Sequence, residues 1–326
     1  MAHYLVTGVA GFIAARTAGL LLDAGHQVTG IDNLNDAYDV RLKQWRLAQL
    51  DGRPGFQFVH ADITQRGALD ELVSASAPVS AVINLAARAG VRPSVQNPWI
   101  YQETNVTGTL NLLELCRTHG IGKFVLASTS SLYGTRNPVP YQESQSTDFP
   151  LSPYAASKKA AEALCATYHH LHKLDVSVLR YFTVYGPASR PDMSPFRFVQ
   201  RIREGWPITV FGDGLQSRDF TYVDDIARGT IAALQPVGYE VINLGSDTPF
   251  ALREMIALIE ELTGRDAQII YQPAHAADMP HTWADVSKAA TLLNWQAQVR
   301  FRDGFQALVD WYAANREWAQ HVQTVD

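Results

Sequence analysis

The chain has 326 residues, 47% of them hydrophobic, and a formal net charge of −5. That is ample apolar material for one large or two unequal domains, and no apolar run reaches the length of a membrane span. The acidic balance excludes a general affinity for nucleic acid or anionic membrane, so any bound anion needs a local site.

The two cysteines, Cys116 and Cys165, both fall in helical patterns, which argues against a disulfide framework and for a reducing, cytoplasmic setting. Strand-like sequence begins at His3, leaving no room for a signal peptide ahead of it. In chain order, short β-branched runs predict strands at 3–6, 27–31, 56–60, 81–85, 124–127 and 177–179. Amphipathic stretches predict helices at 11–24, 68–74, 99–118 and 153–171. Apolar strands alternating with helices predict an α/β fold, a Rossmann-type doubly wound parallel sheet covered on both faces. After about Gly186 the rhythm breaks into shorter elements, with helices predicted at 196–204, 223–234 and 252–262. Residues 1–185 are therefore expected to form a nucleotide-binding domain and 186–326 a smaller mixed α/β substrate lobe, with its last segments folding back onto the sheet.

The motifs follow the same order. In YLVTGVAGFIA, Gly8 allows a tight turn after the first strand and Gly11 a close backbone approach to a pyrophosphate. Phe12 and Ile13 then open a helix whose free N–H groups face the anion, and Ala14 stands where a third glycine is usual. Asp32, in QVTGIDNLN, ends the second strand where an acid accepts ribose hydroxyls and repels a 2′-phosphate, favouring NAD over NADP. Asp62 and Ile63, in HADI, suit an adenine edge. In SPYAASKKAAE, Tyr154 and Lys158 lie on one helix face, where an ammonium favours a phenolate and lowers the tyrosine pKa. VLASTSSLYG closes the fifth strand with the hydroxyls of Thr129, Ser130 and Ser131 on the edge where such sheets bind ligands.

With TGVAGFIA, GIDNLN, STSSLYG, YAASK, LRYFTVYGP and SRDFTYVDD in hand, the chain resembles the extended short-chain dehydrogenase/reductases over nearly its whole length. It is most similar to the NAD-dependent nucleotide-sugar epimerases and dehydratases. The resemblance implies Thr129, Tyr154 and Lys158 as the catalytic group at the sugar O4, with Tyr154 as base. It implies an NAD site lined by Gly8, Gly11, Phe12, Ile13, Asp32, Asn33, Asn35, Lys43, Asp62, Ile63, Leu85, Ala86, Ala87, Asn105 and Tyr181, together with Tyr154 and Lys158. For the sugar nucleotide it implies Arg92, Thr129, Ser130, Ser131, Thr183, Arg190, Phe211 (against uracil), Arg218 and Asp278. No metal is expected, and a homodimer is.

Within that group, GIDNLNDAYDVRLK, AGVRPSVQNP and FTVYGPASRPDM resemble the enzymes that epimerise UDP-glucuronate at C4 to UDP-galacturonate. Dehydratases carry Asp-Glu after the fifth-strand hydroxyl, and decarboxylases a glutamate; here those positions are Ser130 and Ser131, which do no acid–base work at neutral pH. A neutral-sugar epimerase acting on UDP-glucose remains open, because an arginine fork suits a phosphate as well as a sugar carboxylate. A nucleotide-sugar reductase is the further alternative.

Overall fold

The computed structural model describes residues 1–74, 77–274 and 279–324. Twelve strands are described: β1 (His3–Thr7), β2 (Gln27–Asp32), β3 (Phe56–His60), β4 (Ala81–Asn84), β5 (Lys123–Thr129), β6 (Asp175–Tyr181), β7 (Thr183–Tyr185), β8 (Ile208–Phe211), β9 (Ser217–Tyr222), β10 (Tyr239–Leu244), β11 (Pro249–Ala251) and β12 (Ile269–Gln272). Seven of them form one parallel sheet in the order β10-β6-β5-β4-β1-β2-β3. This is the doubly wound α/β sheet expected from the sequence. Its strand order reverses between β1 and β4, and the crevice outside the carboxyl ends there is the ligand edge.

β10 comes from beyond residue 186, so the later half of the chain contributes to both lobes. The helix Ser287–Leu293 and Trp295 also pack into the cluster against the sheet, together with Ile242 and Leu244 of β10. The helix Val223–Ala232 packs there too, through Ile226, while most of the other later elements gather round a separate core of Phe196, Phe198, Phe220, Ile259, Phe305 and Tyr312. β7, β9 and β11 form a small mixed sheet there, and β8 pairs with β12. The helix Val40–Ala48, not foreseen in the sequence, joins this second core through Leu42 and Trp45. Its Leu47 packs against the core over the sheet, so the helix touches both cores.

Local chemistry sets the element ends that matter for the site. Ser152 caps the helix Pro153–His172 by accepting from the Ala155 N–H at 3.2 Å, with Pro153 in its first turn. The helix expected at 99–118 is a more complicated object: a helical turn Pro98–Tyr101, a wide π-turn Gln102–Thr107, then the α-helix Gly108–His119. The π-turn is an insertion that re-aims one residue, as such bulges do near functional sites. Here the residue is Asn105, whose side chain is buried and reaches Ser157 across the active-site helix at 2.9 Å.

No helix among the described residues is long and apolar enough to cross a membrane. Cys116 and Cys165 are both free and buried.

Candidate active site

The glycine turn has the shape a pyrophosphate requires. Gly8 adopts φ +70°, and a Cβ built on it would lie 2.8 Å from the Ala86 Cα. One built on Gly11 would lie 2.8 Å from the Gly8 carbonyl oxygen. Neither position tolerates a side chain. The helix Phe12–Asp23 that follows has no side-chain cap and no acid in its first turn, so its leading N–H groups and positive dipole end are left for an anion. Ala14 is buried against the sheet, and Arg16 is tied to Asp224 by two hydrogen bonds of 2.7 Å, which locks this helix to the helix Val223–Ala232.

The cleft at this edge is lined by Gly8, Gly11, Asp32, Asn33, Asn35, Lys43, Asp62, Ile63 and Leu85–Ala87, all named from the sequence, and also by Ala37, Tyr38 and Thr104. Asp32 braces the turn: its carboxylate accepts from the Ala10 N–H at 3.1 Å and the Leu34 N–H at 2.8 Å. A polar chain runs round the rim from there. Lys43 Nζ lies 3.9 Å from Asp32 and donates to Asn35 at 3.0 Å; Asn35 donates to Asn33 at 2.6 Å; Asn33 donates to Asp62 at 2.6 Å. Burial lowers the Lys43 pKa, opposed by the Asp32 charge. Thr64 and Asn33 hold the Asp62 carboxylate below its ordinary value against its own burial.

Three expected cofactor residues have their side chains occupied. The Asn105 amide accepts from the Arg88 N–H and donates to the Arg88 carbonyl, both at 2.9 Å, so it shapes the loop after β4. The Tyr181 hydroxyl pairs with Thr230 at 2.7 Å inside the core. Ile63 is buried under the helix at Gly108. Phe12 packs near Arg46, a residue the sequence did not single out. Arg46 is buried and joins the glycine turn to the substrate side: it donates to the Ala10 carbonyl at 3.1 Å and to the Ala188 carbonyl at 2.7 and 2.9 Å. Only its place beside the GIDNLNDAYD run hinted at a role.

At the end of β5, Thr129 donates its hydroxyl to Ser131 Oγ at 3.2 Å and accepts from the Ser131 N–H at 3.1 Å, close enough to Tyr154 to lower its pKa. Ser130 is buried beside them. The electrostatics depart from the expectation that Lys158 lowers the tyrosine. Burial pushes the Tyr154 phenol up; the Thr129 hydrogen bond and the Arg190 charge pull it back. Lys158 itself is buried and donates to the Ala127 carbonyl at 2.9 Å, and burial pulls its pKa down to about 8. The Tyr154 ring meets Tyr101 edge-on at 6.2 Å.

The substrate-side residues lie on several elements. Thr183 opens β7, next to Phe220 of β9. Arg190 is held two-pronged by Asp192, at 3.1 and 2.5 Å. Arg92 stacks its guanidinium 4.0 Å over the Phe211 ring, so the ring expected to face a base meets a cation instead. Arg218 donates to the Ser217 carbonyl at 2.8 Å. Asp278 lies outside the described residues.

Residues 4–245 match the NAD dependent epimerase/dehydratase family. The chain belongs to that family. It is 54% identical to a UDP-glucuronate 4-epimerase of Thermodesulfobacterium geofontis over 99% of this chain and 100% of the relative. Among solved structures it is similar to the UDP-glucuronic acid 4-epimerase of Bacillus cereus in complex with UDP-glucuronic acid and NAD. That match has a TM-score of 0.90 and 37% identity and covers 96% of this chain and 99% of the other. A UDP-glucose 4-epimerase of Thermotoga maritima with UDP-glucose superposes at a TM-score of 0.89 with 29% identity, over 96% and 99% of the two chains.

Proposed function

We propose that this protein is an NAD-dependent UDP-glucuronate 4-epimerase, interconverting UDP-glucuronate and UDP-galacturonate. The observation that carries it is the end of β5: Thr129 close enough to lower the Tyr154 pKa, with neutral Ser130 and Ser131 where a dehydratase or decarboxylase needs a carboxylic acid. Such a site moves one proton at O4 and has nothing with which to expel water.

The Gly8–Gly11 turn and the uncapped helix after it fit the cofactor's pyrophosphate, and the Asp32–Lys43 rim fits its adenosine half. NAD, when bound, accepts a hydride from the sugar C4 and gives it back. The chain does the rest. Tyr154 takes the proton from the C4 hydroxyl and returns it after the 4-keto sugar has turned over. Thr129 holds that oxygen and the phenol in line, the positive charge of Arg190 favours the phenolate, and the ammonium of Lys158 is assigned the same role when NAD is bound. Ser130 and Ser131 supply neutral hydrogen bonds to the sugar acid, with Arg190 as its charged partner, and Thr183 contacts the diphosphate. Residues beyond 186 carry the uridine diphosphate side, through Arg218 and Phe211.

Supplying UDP-glucuronate and UDP-glucose separately tests the assignment. UDP-galacturonate should form quickly, with no net change in reduced cofactor. Faster conversion of UDP-glucose to UDP-galactose would make the protein a neutral-sugar epimerase. Steady consumption of reduced cofactor would make it a reductase.

Asp32→Ala should weaken NAD binding by about tenfold or more, the worth of a charge-assisted hydrogen bond, and narrow the preference over NADP. Titration of cofactor-free protein with each dinucleotide checks this; equal affinities in the wild type would remove Asp32 from the choice of cofactor. We further propose a cytoplasmic homodimer. Trp99, on the helix Pro98–Tyr101, and Leu171, near the end of the helix Pro153–His172, are 81% and 62% exposed, side chains that a second copy would cover. Light scattering on the purified protein should give twice the chain mass, and a monomer would end that proposal.

A further inference from the structure

The helix Pro153–His172 carries a second buried charge, one turn beyond Lys158, that the roles above leave unused. Glu162 is gripped on both oxygens: Ser128 Oγ donates to Oε1 at 2.6 Å, Arg180 Nε to Oε1 at 3.0 Å and Arg180 Nη2 to Oε2 at 2.8 Å. The Glu162 and Arg180 side chains are each 4% exposed. Arg180 lies 4.9 Å over the Tyr133 ring, whose hydroxyl donates to Asn243 at 2.7 Å. Ser128 directly precedes Thr129 on β5, and Arg180 directly precedes Tyr181 on β6. The fork therefore anchors the active-site helix to both strands immediately behind the reacting groups.

A buried ammonium sheds its proton unless an opposite charge holds it. Burial has already brought Lys158 down to about 8, and Glu162 is the main group opposing that fall. The other titratable groups around the cluster are Tyr154 and Cys165 on the same helix, Cys116 on the helix Gly108–His119, Tyr133 after β5 and Tyr239 on β10. Burial pushes every one of these above its ordinary value, so all stay neutral near pH 7. What remains charged is Lys158, Glu162 and Arg180, with a single net positive charge.

We infer that Glu162, oriented by Ser128 and Arg180, is a positioning residue that keeps Lys158 in its ammonium form and so sets the alkaline limit of epimerisation. This rests on the proposed pairing of Tyr154 with Lys158. Glu162→Gln keeps the shape of the fork and most of its hydrogen bonds but leaves two like charges together. Lys158 then loses its proton at a lower pH, and without the ammonium the phenolate is disfavoured.

The test is the pH profile of kcat for the wild type, Glu162→Gln and the double variant Glu162→Gln with Arg180→Gln, using the NAD-loaded enzyme. In Glu162→Gln the alkaline limb should move down by about one pH unit, which is about tenfold less activity at a given alkaline pH, with the acid side little changed. The double variant removes the uncompensated arginine along with the acid, so its limb should fall between those of the single variant and the wild type. A merely structural fork predicts instead a uniform loss at every pH, with no recovery in the double variant. An alkaline limb in the wild-type position in either variant overturns the inference, and the double variant carries the test alone if Glu162→Gln does not fold. Tyr154→Phe separates the two levels: if it keeps full turnover, the underlying pair is wrong. If it is inactive while the Glu162→Gln limb stays in place, only the role of Glu162 fails.

Discussion

Tyr154→Phe is expected to cut turnover of UDP-glucuronate by at least about a hundredfold, the usual cost of a lost general base, while NAD stays bound. The substitution removes one oxygen and leaves the ring, so the edge-on packing against Tyr101 at 6.2 Å and the helix cap at Ser152 are untouched. What disappears is the acceptor for the O4 proton and the partner of Thr129. Single-turnover kinetics with protein of confirmed NAD content isolates the chemical step. Turnover within a few-fold of the wild type would take Tyr154 out of the mechanism. The sign of the pH response follows from the same residue. Burial raises its pKa while Thr129 and Arg190 lower it, and the base form is the deprotonated one. Wild-type activity should therefore climb as pH rises through the Tyr154 ionisation in the loaded enzyme, and Tyr154→Phe should lose that acid limb.

Arg190→Ala is the second large effect expected, and it is selective. Losing one charge-assisted hydrogen bond costs about 1.5–3 kcal/mol, or one to two decades in kcat/KM. That loss should fall on UDP-glucuronate and largely spare UDP-glucose, because only the first carries a carboxylate at C5. Asp192 already occupies both prongs of the Arg190 fork, so an anionic sugar has to share the guanidinium or displace Asp192 from it. Asp192→Asn supplies the complementary measurement: a freed fork should bind the acidic sugar more tightly, lowering its KM. If Arg190→Ala harms both substrates alike, the arginine grips the diphosphate that they share, and the selectivity for the acid resides in Ser130 and Ser131.

The sequence made the α/β class and the chemistry legible because their signals are local. Strand and helix periods declare themselves within a few residues, and the sheet order that follows is restricted by right-handed crossovers. The glycine turn was readable for the same reason, since glycine takes a φ of +70° at no steric cost. Tyr154 and Lys158 were readable because a helix places residues four apart on one face. The π-turn was not: residues 99–118 carry a helical pattern throughout, and the extra residue exists because Asn105 is pulled towards Ser157 and the Arg88 backbone, partners 52 and 17 positions away.

By itself, then, the sequence determined the alternation of strands β1–β6 with most of their helices, the phosphate turn, the acid at the end of β2 and the absence of an acid beside Thr129. Tertiary structure alone decided how the charges in the site are spent. Lys158 turns to the Ala127 carbonyl, Arg190 to Asp192 and Arg92 to Phe211, while Arg180 clamps Glu162 and Arg46 spans the glycine turn and Ala188. A long cationic side chain reaches several partners with similar local cost, and only burial, which penalises an unpaired charge heavily, selects among them. Burial is a property of the folded chain.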